Sequence, residues 1–302
     1  MSEDKRRRVL EAIEKLEFRP SAMARALVAG RPKLIAVLAG NTSQYGYAET
    51  IRGIEESARA AGFTVTITVV ESAADDVVDS AVSLVLSQPI AGIVVLKFDP
   101  PGVAALRRLP KTIPTVSISG VREPGVPQAV LGEAEAAEEL VGYLLGLGHR
   151  TVHHVRVPPS RKEDGRTTGW RRALTEAGAP VPDPIDATWE PESGRAIGVE
   201  LGGRPEVTAV FCGNDEIAMG VIRGLHDGGR TVPGDVSVVG FDDHPLARMW
   251  TPPLTTVDQD FAGLGSRAYR VLDGLMHGRT VRTFSSERPP VVIRETAAPP
   301  RA

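Results

Sequence analysis

From Leu34 to Asp242 the chain repeats one unit: a short run of β-branched and apolar residues, followed by a segment whose apolar residues recur at helical spacing. Apolar runs without polar alternation suit parallel strands buried on both faces, and parallel strands need helical crossovers to join them. The fold class is therefore α/β, with doubly wound parallel sheets. Strands are expected at "LIAVLA" from Leu34, "TVTITVV" from Thr64, "GIVVLK" from Gly92, "PTVSIS" from Pro114, "TVHHVRV" from Thr151, "VTAVFC" from Val207 and "VSVVGFD" from Val236. The clearest helices between and after them are "YAETIRGIEESARAAG", "EAAEELVGYLLGLG", "GWRRALTEAG", "DEIAMGVIRGLHDGG" and a long one over Phe261–His277. At 302 residues the chain exceeds one ordinary domain, so two α/β halves facing across a cleft are expected. The polar, proline-bearing "RVPPSRKEDGRTTG" reads as a passage between the two sheets. That places one subdomain over 34–158 plus about 259–285, the other over 159–258 plus about 286–296, and a disordered tail at 297–302.

The first 33 residues follow another pattern. They hold nine Lys/Arg and five Asp/Glu, whereas the remainder holds 26 and 33, so a basic head precedes an acidic body. Such a body repels a phosphate backbone and leaves the head as the nucleic-acid contact, although solvated charged helices are also common. Val9, Leu10, Ile13 and Leu16 form one apolar stripe on a helix of about three turns, and that stripe needs a partner. Pro20 and Ser21 start a second helix that Gly30 and Pro32 stop. With fewer residues than the roughly 12 to 15 that give marginal stability alone, "SAMARALVA" should order only when something holds it.

Several function classes lack their residues. The single cysteine, Cys212, permits no intramolecular disulfide, redox pair or cysteine-rich metal site. No apolar window is long enough for a membrane span, and "EAIEKLE" follows the basic run where a signal peptide needs an apolar core, so a cytoplasmic protein is expected. There is no G-x-S-x-G, P-loop or G-x-G-x-x-G motif, so neither an enzyme nor a cofactor is expected. His153 and His154 are strand neighbours facing opposite sides, which argues against a shared metal. Asp242 and Asp243 in "GFDDH" are adjacent and cannot flank a glycosidic bond at the separation that chemistry uses.

Binding is better supported. Open α/β sheets place ligands beyond the carboxyl ends of their strands, where this chain puts Asn214 and Asp215 after "VFCG", Asp242 after "VVGF" and Arg166 after the polar passage. Arg, Asn and Asp supply the planar groups that a polyhydroxylated ligand requires, and Tyr47, Trp189 or Phe261 an aromatic face. Asp215, which opens "DEIAMG", reads primarily as a helix cap, and Trp170 as packing.

The order of motifs adds to this. "LEFRPSAMARAL", "IRGIEESARAAGF", "LGHRTVHHV", "GRTTGWRRAL", "VTAVFCGNDEIAMGVIRGLHDGGRTVPGDVSVVGFDD" and "PPLTTVDQDFAGLGSRA" resemble the lactose-repressor and galactose-repressor (LacI/GalR) family of transcription regulators over nearly the whole chain. The resemblance implies a periplasmic-binding-protein-like core of two subdomains joined by three crossovers, a homodimer, and a DNA-binding head on a hinge helix. It implies that Arg166, Asn214 and Asp242 bind the hydroxyls of a sugar, nucleoside or similar small polar effector, with Gln259, Phe261, Trp189 and Tyr47 in supporting positions. It places hinge contacts to operator DNA at Ser21, Ala24, Arg25 and Leu27, the leucine as a minor-groove wedge. Residues 1–19 correspond to the third helix of the head and 20–33 to the hinge, so the first two head helices, including the one that reads the major groove, are missing. Either the chain is begun late, with an initiator codon assigned internally at Met1 as the preferred expectation, or it is a natural variant lacking direct readout; in both cases operator binding by residues 1–302 is expected to be weak. Gly132 stands where many members carry a cleft aspartate, leaving Glu133 or Glu135 to substitute. The alternative on the same core is an extracytoplasmic solute-binding protein, which leaves the hinge unexplained.

Overall fold

The computed structural model describes residues 3–16, 32–123, 125–158, 163–279 and 284–301. Helix α1, Glu3–Lys15, carries the basic lead segment. Among the described residues nothing covers Val9 or Leu16 of its apolar stripe, and both are exposed. Ser21, Ala24, Arg25 and Leu27, with the rest of the expected hinge up to Arg31, lie outside the described residues.

The first lobe is built on six parallel strands in the order β11-β5-β4-β3-β1-β2. These are β1 Leu34–Ala39, β2 Thr64–Val69, β3 Ile90–Leu96, β4 Thr115–Ser119, β5 Gln128–Leu131 and β11 Phe284–Glu287. Strand β1 shows why an unbroken apolar run is needed. Ile35, Val37 and Ala39 face one core with helices α2 (Tyr45–Ala60) and α9 (Phe261–Met276), while Ala36 and Leu38 face a second with α3 (Asp75–Leu86) and α4 (Pro100–Arg108). Both sides of the strand are removed from water, so no position is left for a polar residue.

The second lobe has four parallel strands in the order β7-β6-β8-β9: β6 His153–Arg156, β7 Ile185–Asp186, β8 Ala209–Cys212 and β9 Ser237–Val239. On one face Val155, Val210, Cys212 and Val238 pack with α7 (Pro191–Gly202) and α8 (Asp215–Asp227). On the other, Phe211 and Val239 pack with α5 (Glu133–Gly146) and α6 (Gly165–Glu176) around Trp170, which is fully buried and donates from Nε1 to the Val152 carbonyl at 2.8 Å. Helices α7 and α8 approach backbone to backbone: a methyl group on Gly224 would overlap the Arg195 carbonyl, and one on Gly198 the Val221 carbonyl. A two-stranded antiparallel pair, β10 Thr256–Val257 with β12 Val291–Val292, completes this lobe.

The passages between lobes differ from the sequence expectation. Strand β6 hydrogen-bonds to β8, so it belongs to the second sheet, and the first passage runs through Leu131–Glu133 rather than near residue 158. The polar "RVPPSRKEDGRTTG" begins in β6 and runs into α6, both in the second lobe, so it is not a change of sheet; residues 159–162 lie outside the described residues. Strand β11 remains hydrogen-bonded to β5 as far as Glu287, so the last passage falls after Glu287 rather than at 285. The remaining passage lies between β10 and α9. The tail is not loose either: Thr296 is buried, its carbonyl accepts from Val238 N at 2.9 Å, Ala298 N donates to Ser237 Oγ at 3.0 Å, and Arg301 pairs with Asp235 at 2.6 Å. Residues 297–301 are therefore held on the second lobe, where the small side chains of "TAAPP" allow the backbone to lie close to it. Among the described residues no helix is long and apolar enough to cross a membrane.

Candidate functional site

The carboxyl ends of both sheets face the same cleft, which is where strand polarity puts ligands in open α/β sheets. The space between the walls is about 780 Å³ with its open mouth included. The first lobe contributes Gln44 to Tyr47 after β1, Lys97 and Phe98 after β3, and Ser119 to Val121 after β4. The second contributes Val157 and Pro158 after β6, Trp189 after β7, Asn214 after β8 and Asp242 after β9. Phe261, at the start of α9, closes one wall.

Arg166 is the centre of the polar half. It lies in the first turn of α6, is 8% exposed, and reaches three elements at once. Its Nη2 is 3.1 Å from Glu133 Oε1 and 3.2 Å from Asp242 Oδ1, Nη1 donates to the Gly213 carbonyl, and the guanidinium lies 4.7 Å from the centre of the Phe241 ring. Burial opposes its charge, yet the carboxylates of Asp242, Glu133 and Asp164 hold it above its ordinary range. Burial also lifts Asp242 to about 6, against the pull of Arg166 and of the Gln259 side chain, and it lifts Glu133 as well. One guanidinium thus serves two carboxylates that are both hard to ionise.

The loop that presents Asp242 is strained and clamped. Asp242 has φ 111° and Asp243 φ 48°, conformations that cost of order 1–3 kcal/mol outside glycine. Three contacts hold them: Asp242 N donates to the Val257 carbonyl at 2.9 Å, Asp243 pairs with Arg294 at 2.7 Å, and His244 N donates to Asp215 Oδ2 at 2.6 Å. Asp215 also accepts from Thr256 Oγ1 at 2.6 Å, and burial raises its carboxyl well above the usual range. It is therefore not the helix cap expected from its position. Asn214 caps α8, accepting from Ile217 N at 2.8 Å, and Asp215 turns inward beneath the Asp242 loop.

The other expected residues divide. Asn214, Tyr47, Trp189 and Phe261 line the cleft with Arg166 and Asp242. The Tyr47 hydroxyl is already committed, donating to Asp99 Oδ2 at 2.5 Å; burial and that carboxylate push its pKa well up. Gln259 stands behind the wall and donates from Nε2 to Asp242 Oδ1 at 2.8 Å, orienting that carboxylate. Of the two candidates to replace the family aspartate, Glu133 is buried in the cleft wall whereas Glu135 is exposed. The histidine pair behaves as strand neighbours: both rings are buried, and His154 bonds to Phe211 O and Thr167 Oγ1 and stacks on Phe211, its pKa lowered by burial to about 4. Sequence reading missed Tyr45, Lys97, Phe98, Asp164 and Glu216 in the lining. The available signal was the same in each case, a polar or aromatic residue in the first few positions after a strand or at a helix start.

Residues 141–297 match the periplasmic binding protein-like domain family. The chain is 31% identical over 287 residues to catabolite control protein A of Priestia megaterium, covering 91% of this chain and 85% of that protein. It is also 31% identical over 308 residues to the HTH-type transcriptional repressor PurR of Klebsiella pneumoniae, covering 99% and 89% respectively. Among solved structures, the lac repressor dimer bound to operator and the anti-inducer ONPF superposes with a TM-score of 0.89 at 25% identity, over 99% of this chain and 91% of that one. The cleft between two doubly wound lobes and the similarity along almost the entire sequence agree: the chain belongs to the LacI/GalR family of ligand-responsive transcriptional regulators.

Proposed function

We propose that this chain is a repressor whose cleft takes up a small polyhydroxylated effector, and that the occupied and empty clefts differ in affinity for operator DNA. The observation that carries the reading is the Arg166 guanidinium, buried between the lobes and shared by Glu133 and Asp242. Vicinal hydroxyls offer the donors that two crowded carboxylates lack and the acceptors that a guanidinium lacks. Arg166, Asn214 and Asp242 contact the hydroxyls, Gln259 orients Asp242, and Tyr47, Trp189 and Phe261 pack against the C–H faces of the ligand. The lac repressor comparison was solved as a dimer on operator with a small molecule. By analogy this chain acts as a homodimer, and Ser21, Ala24, Arg25 and Leu27 contact DNA as a segment that orders on binding.

The effector changes operator affinity only by its preference between lobe arrangements, so an inducer and a corepressor differ in which arrangement they favour. A thermal-shift panel of neutral sugars, amino sugars, sugar phosphates and nucleosides, followed by calorimetry of those that act, tests the cleft. Gel-shift titration against operator fragments with and without each ligand tests the coupling. A panel in which no compound changes either the melting temperature or the operator affinity would refute the proposal.

A further inference from the structure

Among the described residues, the charges lining the cleft do not balance: the cations are Lys97 and Arg166, and the carboxylates are Glu133, Asp164, Glu216 and Asp242. Lys97 is 3% exposed and already committed, with Nζ 2.5 Å from Glu123, a carboxylate outside the lining. Among the described residues Arg166 therefore faces four acids, two of which it contacts. Glu216 receives one long bond from the Asn214 amide at 3.3 Å.

Two carboxylate oxygens in this wall lack a donor. Glu133 is 6% exposed; its Oε1 accepts from Arg166 Nη2 at 3.1 Å and Nε at 3.3 Å, while Oε2, lying between Gly120 and Gly165, accepts no hydrogen bond from any described residue. Asp164 caps α6 through Oδ1, which accepts from Thr167 N at 2.7 Å, and its Oδ2 is buried without a partner. The charge of Asp164 is one cause of the raised Glu133 carboxyl, so the two groups act on each other. A buried acceptor without a donor is costly, and two neighbouring ones on charged groups define what is missing. The lining also carries the rings of Tyr45, Phe98, Trp189 and Phe261, and the faces of such rings attract a cation.

We infer that the effector is an amino sugar, or a polyol of the same kind bearing one ammonium group, whose ammonium donates to Glu133 Oε2 and Asp164 Oδ2 while its hydroxyls meet Arg166, Asn214 and Asp242. This rests on the effector reading above and adds the charge of the ligand. Among the described residues, a phosphate or carboxylate in this cleft meets four carboxylates, with Lys97 and Arg166 both already paired. A polyamine satisfies the acids but leaves Arg166 facing a second positive charge and the hydroxyl-reading groups unused.

The test is calorimetry on the full chain with matched pairs that differ only at one position: D-glucose with D-glucosamine, D-galactose with D-galactosamine, and D-mannose with D-mannosamine, beside D-glucose 6-phosphate and spermidine. The expected result is that in at least one pair the amine binds about tenfold more tightly than its parent, the difference between a charge-assisted and a neutral hydrogen bond. Glu133→Gln should reduce that ratio to about threefold or less. Asp164→Asn, which keeps a capping oxygen on α6 and removes only the charge, should also lower it, so the inference does not depend on one variant folding. Parent sugars, the phosphate or spermidine binding as tightly as the amines would overturn the amine assignment and leave the effector reading standing. Binding by none of the probes, with no change in operator affinity, would overturn both.

Discussion

Replacing Arg166 by Ala should destabilise the protein by an amount that grows with pH. The guanidinium lies 3.1 Å from Glu133 and 3.2 Å from Asp242, where each attraction is about 5 kcal/mol at an effective dielectric constant of about 20. Most of that offsets desolvation, and removing one partner from such a buried group costs about 3–5 kcal/mol. The pH dependence follows from Asp242. Burial raises its folded-state pKa from 3.8 to about 6, so folding favours its protonated form, and wild-type stability falls as pH rises through that interval and then levels off. Without Arg166 the folded-state pKa moves higher still, so the variant continues to lose stability above pH 6. The gap widens by about 1.4 kcal/mol per pH unit for this carboxylate alone, and Glu133 adds to it in the same direction. At pH 5.5, below the Asp242 value, the gap is smaller, although the bonds to the Gly213 carbonyl and to Glu133 and the contact with Phe241 are still lost. Urea denaturation of wild type and variant at pH 5.5 and pH 8 measures both quantities. A difference in stability that is the same at the two pH values would show that the guanidinium does not hold these carboxylates ionised. Adding Asp242→Asn to the variant should narrow the gap again.

Three further outcomes follow from the packing. Tyr47→Phe removes the 2.5 Å bond to Asp99 and should cost about 1.5–3 kcal/mol near neutral pH by chemical denaturation, less in acid where Asp99, raised by burial, is already protonated. Gly224→Ala forces α7 and α8 apart at the Arg195 carbonyl and should lower stability by about 1–3 kcal/mol; a neutral effect would mean that the helices separate freely. Trp170→Ala empties the contact between α5, α6 and the second sheet and should cost about 3–5 kcal/mol, read as a drop in the urea midpoint.

Most strands that sequence reading found carry apolar runs buried on both faces, as in β1 and β8; the edge strand β2, with Ile67 and Val69 exposed, was found from its β-branched run instead. Strands β5, β7 and β11 escaped it because "QAVL", "ID" and "FSSE" are short or polar and become strands only through the neighbour they pair with. The first passage between lobes was misplaced for a related reason. Polar and proline residues signal water-exposed chain, whereas the true passage at Leu131–Glu133 is buried and marked by Gly132 alone. Arg166, Asn214 and Asp242 were legible from family motifs and do converge on one cleft. Of the side chains that decide its charge, Glu133 was one of two alternatives for the cleft and Asp164 was not assigned to the lining, because an acid at a helix cap looks like ordinary capping until the opposite wall is known.

Glu133 follows directly on the residue where the chain leaves the first sheet, and the amide of Gly132 beside it donates to the Glu287 carbonyl at 3.0 Å, at the point where another passage begins. A side chain that lines the cleft is thus rooted beside two of the passages between the lobes. A two-lobed molecule of this kind needs no long relay to convert occupancy into rotation. A ligand that moved the Glu133 carboxylate would act beside two of the three tethers, which the Gly132–Glu287 bond joins.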